Sequence, residues 1–434
     1  MHRVLLLAVL CSAACSTYEE RIEDIHHAYY NGTPEQAVLL LEESVDDSFF
    51  DVDEDFAVLR MELSSALMAA GRHEEAGRLL AELYDELEVL DYSTDTVEDI
   101  MAFALASELQ DYHASPPEKL LVNTRGMMAF LAADDLDGAT VEAKRAGTTL
   151  TQADLDDQDR YDNLFVSALA GFCMDQAGRR QEADDFWNEL DQNPLQPPPP
   201  GQADPEHGTI LVLVELGKAP IRRELAVAIW ADGVRHELRV PVLQDRDDVF
   251  TVASVVLDDV PQGRVPVALD LGAQLERRYD QELPGLLAAA ATQAVARGVV
   301  SEVVSNSVSD KGDASDDIFA MAAAALTSWT LAEAQQADTR CWNLLPQSFG
   351  AMRLDVPAGQ HRVSVELSGA KGHSLRFELD VRPGGTHTVY VASDVYGGFA
   401  GHKPLSEEDL TGHPAAIRAL QILSSASLVN EIVD

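Results

Sequence analysis

Only four cysteines occur in 434 residues, and two of them, Cys11 and Cys15, fall within the first fifteen positions. Cys173 and Cys341 are left for the body of the chain, which excludes a disulfide framework and a cysteine-built zinc ribbon and makes both small apolar fillers. Beyond the leader no uninterrupted apolar run reaches the roughly 20 residues that span a bilayer, and the Ala-rich stretch Phe319 to Leu326 is far too short. Positive charge is scarce: 31 Lys and Arg against 74 Asp and Glu give a formal net charge of −43, with most of the excess before residue 206. Such a surface repels nucleic acid and anionic lipid head groups, so neither is an expected partner. The chain also lacks a Gly-rich phosphate loop, a His-Glu-x-x-His helix and a Gly-x-Ser-x-Gly elbow. Nothing implies a cofactor, a small-molecule substrate or an enzyme.

What is present begins at the amino terminus. Met1-His2-Arg3, the apolar run Val4 to Leu10, and the small residues Ser12-Ala13-Ala14 before Cys15 have the layout of a lipoprotein signal. Residues 1–14 are expected to be removed and Cys15 to carry acyl chains such as palmitate, giving a stable lipid anchor. Ser12-Ala13-Ala14 also suits ordinary signal cleavage, which would leave Cys15 unmodified.

From residue 15 to 193 the apolar pattern is helical. Gly32 to Ala37, Gly71 to Ala76, Asp135 to Ala139 and Gly178 to Ala183 repeat one arrangement, a turn residue, a polar stretch and an Ala opening an apolar helix face. Each resembles the turn and second helix of a tetratricopeptide repeat. The spacing is irregular, so we expect a degenerate, all-α TPR-like solenoid, with a further hairpin around Thr96 to Leu109. Pro197-Pro198-Pro199-Pro200 cannot enter a helix or sheet interior and marks residues 194–206 as a linker. Each side of it is long enough for its own core.

Beyond the linker the period becomes that of strands, at Thr209 to Leu216, Glu224 to Ala231, Val234 to Val242, Val249 to Leu257 and Val265 to Leu271. Two helices are expected at Leu283 to Ser305 and Ser315 to Ala337. Strands resume at Ala351 to Val356, Arg362 to Leu367, Ser374 to Val381 and Thr386 to Ala392. The expected layout is an α+β domain over 207–346 with antiparallel strands and a two-helix insertion, a small β module over 347–400, and a tail with a short helix over 401–434.

Glu118 to Asn123, Ala139 to Arg145, Glu215 to Arg222 and Ala337 to Pro346 together resemble a family of uncharacterised bacterial outer-membrane lipoproteins with TPR-like amino halves. Membership implies the cell envelope and no established enzyme activity. Some relatives are encoded near activators of penicillin-binding proteins, which points to cell-wall synthesis. Val356 to Val365 with Arg382-Pro383-Gly384-Gly385 resembles the PEGA type of β module found in envelope proteins.

Three groups of polar residues remain. Asp51, Asp53, Asp55 and Glu62 match positions 1, 3, 5 and 12 of an EF-hand calcium loop, but Phe56 stands where the sharp turn needs Gly, and Asp53 or Asp55 suits the cap of a helix over Phe56 to Ala70 better. Lys218, Arg222 and Arg223 form a basic cluster in an acidic protein, suited to pairing with the helical half or to a ligand. Asp338, Arg340 and Trp342 read as a buried ion pair beside a packed indole, or as a recognition site. His361, His373 and His387 would meet only if their strands brought them together, with no carboxylate or cysteine in register. The expected role is a lipid-anchored, non-enzymatic scaffold or adaptor on the periplasmic face of the outer membrane, whose acidic concave solenoid surface holds basic or cation-bridged protein partners. The alternatives are an enzyme acting on cell-wall material, a calcium-dependent binding module, and an acidity that serves solubility alone.

Overall fold

The computed structural model describes residues 18–46, 52–92, 116–152, 164–188, 204–231, 234–283, 337–399, 401–402 and 431–432, with isolated positions between them. The leader, the hairpin expected near Thr96 to Leu109 and the bodies of the two helices expected between Leu283 and Ala337 lie outside the described residues. A helix-rich amino-terminal region with repeated helix pairing is followed by a mixed β-sheet region.

The helices are α1 (Tyr18–Tyr30), α2 (Pro34–Asp46), α3 (Val52–Ala69), α4 (His73–Tyr92), α5 (Pro116–Ala132), α6 (Leu136–Gln152), α7 (Leu164–Gln176) and α8 (Arg180–Trp187). Four identical turns join them in pairs. Gly32, Gly71, Asp134 and Gly178 each adopt a positive φ, between 57° and 83°. Around each, one amide returns to the carbonyl three residues back and the next amide to the carbonyl five back, as in Gly71 N to Met68 O and Arg72 N to Leu67 O. This is the Schellman closure, which satisfies carbonyls that a helix end would otherwise leave open. The following helix then starts at once. The amides of Ala37, Ala76, Ala139 and Ala183 close its first turn onto Thr33, Arg72, Asp135 and Arg179. All four alanines are completely buried, because a larger side chain there would hold the paired helices apart.

The strands are β1 (His207–Leu216), β2 (Ile221–Ala231), β3 (Val234–Gln244), β4 (Phe250–Leu257), β5 (Val260–Arg264), β6 (Val267–Asp270), β7 (Ser348–Pro357), β8 (Gly359–Gly369), β9 (Gly372–Val381), β10 (Thr386–Ala392) and the short β11 (Glu431–Ile432). They form sheets of order β10-β1-β7-β6, β5-β4-β8-β9 and β11-β2-β3. The first two face each other across a core that includes Val212, Val214, Val255, Val365 and Val391. Most pairs are antiparallel, as expected, and β1 and β10 run parallel. Residues 271–283 are helical (α9), where the sequence suggested the end of a strand and a loop.

The domain boundaries change accordingly. Strands of 207–270 pair with strands of 348–392 inside both four-stranded sheets, so 347–400 is not a self-contained β module. The linker separates helix from strand, yet it does not separate two cores. Leu211, Leu213, Phe349 and Ala351, on one face of the first sheet, join the same apolar cluster as Leu121, Met128, Phe165 and Leu169 of the helices. β1 is therefore buried on both faces, which is why its sequence is nearly continuous in apolar residues rather than alternating. The sheet also covers the helical layer. α3, α5 and α7 are buried over most of their length, while α2, α4, α6 and α8 keep a solvent face. The expected concave surface is thus largely occupied by the protein's own sheet.

Candidate functional site

The two halves meet across a buried polar seam. Arg125 projects from α5 and Glu215 from the helix-facing side of β1, and their Nη1 and Oε1 atoms lie 2.7 Å apart with both side chains fully buried. Burial works against the Arg125 charge, and Glu215 together with Tyr390 and Tyr29 outweighs it. Asp394, in a 3-10 turn after β10, shares this seam; burial first, then the neighbouring Glu215, pushes its carboxyl up to about 8. Among the described residues no other residue hydrogen-bonds the Asp394 carboxyl, and Arg125 Nε and Nη2 and Ser393 Oγ are unpartnered too.

The strap Ala337 to Pro346 fastens the other end of the seam. Glu62 of α3 accepts the amides of Asn343 and Leu344 at 2.5 and 2.9 Å and the Asn343 side chain at 3.1 Å. Burial raises the Glu62 carboxyl to about 7 although these donors pull it down. Trp342 Nε1 donates to Ser65 Oγ at 2.8 Å, and its ring lies under the Arg125 guanidinium. Arg340 pairs with Asp338 at 2.9 Å and with Asp55 of α3 at 3.5 Å. Asp338, Arg340 and Trp342 are therefore structural bonds between the halves. Removing the Glu62 carboxylate strands two buried amides, so Glu62→Ala should lower unfolding stability by about 3 kcal/mol, measured by urea titration. Glu62→Gln, which keeps an acceptor, should lose less.

The calcium reading fails on this geometry. Helix α3 begins at Val52, so the chain from there to Glu62 is helix and not a ligand loop, and Asp53 and Asp55 lie inside its first turns rather than at its cap. Asp55 faces Arg340, Glu62 is consumed by the strap, and Asp51 lies outside the described residues. No group of three or more metal-ligating side chains occurs among the described residues. The histidines also stay apart: His361 bonds Asp258 and the Pro357 carbonyl, His373 stacks on Tyr396, and His387 lies opposite Ile210.

The basic cluster does not act as a unit. Lys218 donates to the Gly398 carbonyl and lies over the Tyr30 ring of α1, and Arg223 donates to Gln244 on β3. Arg222 turns instead into a small cleft, of about 60 Å³, which also reaches Trp342 and so joins the two motifs singled out in the sequence. There Arg222 Nη2 and Arg278 Nε, the latter from α9, donate to separate oxygens of Glu282 at 3.1 and 2.9 Å. All three side chains remain about one third exposed. Leu243, Leu275 and Leu345 supply apolar walls. Cys341 lies at the cleft, where its Sγ accepts the Arg222 amide at 3.4 Å; burial raises the thiol to about 12, so it is no nucleophile at neutral pH. Cys173 and Cys341 are both free.

Arg125, Glu215, Arg278 and Glu282 were not singled out from the sequence. A signal existed for the first pair: Glu215 ends an otherwise apolar strand and Arg125 interrupts an apolar helix, and two buried opposite charges need each other. Arg278 and Glu282, four apart, had no such mark, because the helix that carries them was not anticipated. Comparisons with protein-family models, with curated proteins and with solved structures find no match.

Proposed function

We propose that the protein is a lipid-anchored, non-enzymatic scaffold or adaptor of the bacterial envelope, held through Cys15 at the periplasmic face of the outer membrane and serving cell-wall synthesis. The observation that carries this reading is the array of four identically closed helical hairpins with an acidic outer face. On that face the arginines are already spent on carboxylates of the chain: Arg72 on Glu42 and Glu75, Arg145 on Asp85 and Glu142, Arg180 on Asp175 and Asp184. The remaining acidic excess is left to solvent. With α3, α5 and α7 covered, the partner surface shifts from the concave side to the outer helices α2, α4, α6 and α8.

Partners held there are basic or bridged by cations, and the attraction is screened over about 8 Å at physiological ionic strength. Envelope proteins captured at low salt on the immobilised mature chain should elute along a sodium chloride gradient. Retention through the whole gradient would assign recognition to apolar contacts and leave acidity to solubility. The anchor has its own test. Cys15→Ser should move the protein from washed membranes to the soluble periplasmic fraction, and a substituted protein that stays with the membranes would rule out lipid attachment as the tether.

A further inference from the structure

We propose that the cleft between Arg222, Arg278 and Trp342 is a recognition site for the free carboxyl terminus of a peptide with an apolar last residue, and that Glu282 occupies it as an internal stand-in. The inference goes beyond the scaffold reading and does not rest on it, since it concerns a ligand group and not an anchor or a compartment.

Two guanidiniums converge on one carboxylate, each donating to a different oxygen, which is the arrangement a ligand carboxylate would need. That carboxylate belongs to a residue of α9 whose side chain is one third exposed, so it can swing into solvent without burying a charge. Arg222 is fixed from behind. Its amide donates to Cys341 Sγ, and it sits at the start of β2, so its guanidinium is presented by the β2-β3 hairpin and not by a loop. Glu118, the other acid at the cleft, accepts the Tyr112 hydroxyl at 2.5 Å.

Size and charge select the ligand. The space beside Glu282 is small, about 60 Å³, so a ligand carboxylate takes the place of the Glu282 carboxylate and the rest of the molecule stays outside. The leucines beside the fork suit an apolar last side chain. In a protein of net charge −43, a basic body is attracted while a polyanion is repelled. An end group of one negative charge on a basic peptide meets both conditions.

Because Glu282 competes from within the chain at high effective concentration, the unaltered protein should bind weakly. The experiment compares a fluorescent basic peptide ending in Leu as the free acid with its carboxamide twin, by anisotropy, on the mature chain. Glu282→Ala should bind the acid at least about tenfold more tightly than the unaltered protein does, and about tenfold more tightly than it binds the carboxamide, the effect of one charge-assisted hydrogen bond. Adding Arg222→Met should erase the preference for the acid. Glu282→Gln, which keeps the side-chain volume and one acceptor, repeats the test if the Ala variant unfolds at a lower urea concentration. Equal binding of acid and carboxamide by both variants overturns the proposal. So does displacement of the peptide by an equal concentration of inorganic phosphate, or tighter binding of laurate than of peptide, which would assign the fork to a free anion or to a fatty acid.

Discussion

Arg125→Ala should cost about 3–5 kcal/mol of unfolding stability, the largest loss expected from any single substitution in the seam. The change leaves Glu215 fully buried without the guanidinium it pairs with, and desolvation of a carboxylate is then uncompensated. The stranded acid, rather than the missing bond, carries the cost. It follows that Arg125→Met combined with Glu215→Leu, which removes both charges and retains volume, should recover most of the loss or exceed the unaltered protein. Urea titration of the three variants by circular dichroism decides the matter. Equal losses in the single and double variants would show that the pair is replaceable only as a hydrogen-bonded unit.

The second large effect concerns pH. A carboxyl held at about 8 in the folded chain, against about 3.9 when unfolded, makes the folded state bind the extra proton. Below about pH 4 both states are protonated and nothing is lost. Between about 4 and about 8 the unfolded chain gives up its proton while Asp394 keeps it, so stability falls as pH rises, and above about 8 the loss is complete. Glu62, raised to about 7, acts in the same direction over a narrower window. Asp394→Asn should therefore stabilise the protein at pH 8.5 by on the order of 3 kcal/mol, with little gain at pH 4, and leave a shallower slope to which Glu62 contributes. Unfolding curves at the two pH values suffice. An equal change at both would mean that Asp394 is ionised in the folded chain and paired within the seam.

The helical half was legible because its repeat is written in residues with one physical job each. A residue able to take positive φ closes the first helix, and an Ala as the fourth residue of the second lets the pair approach; Asp134 shows that Asp also meets the first demand. The strands were legible from alternation, with β10 found at its observed ends, Thr386 and Ala392. Their order was not. Alternation specifies which side of a strand is buried and says nothing about its neighbour, so the insertion of β1 between β7 and β10 and of β4 between β5 and β8 had no sequence mark. The candidate residues fared likewise. Arg222 and Trp342 were identified by type, but the cleft they share depends on α9, whose Arg278 and Glu282 lay in a stretch read as non-helical. Glu62 was noted for the wrong chemistry, because acids at loop-like spacing look alike whether they bind a cation or the amides of a distant strap.

The position of β1 also sets the order in which the chain can be completed. This strand pairs with β7 on one side and, in parallel, with β10 on the other, so Thr209 waits for Thr386 and Glu215 for Ala392. Parallel pairing over so long a stretch of chain closes slowly, since the loop entropy must be met before the contacts form. Until Ala392 has emerged, β1, buried on both faces in the finished protein, keeps an open edge along its whole length. A chain delivered amino terminus first, from a ribosome or through a membrane pore, therefore passes through a stage with helices α1 to α8 formed and β1 exposed, during which a holding chaperone would have its greatest effect on yield.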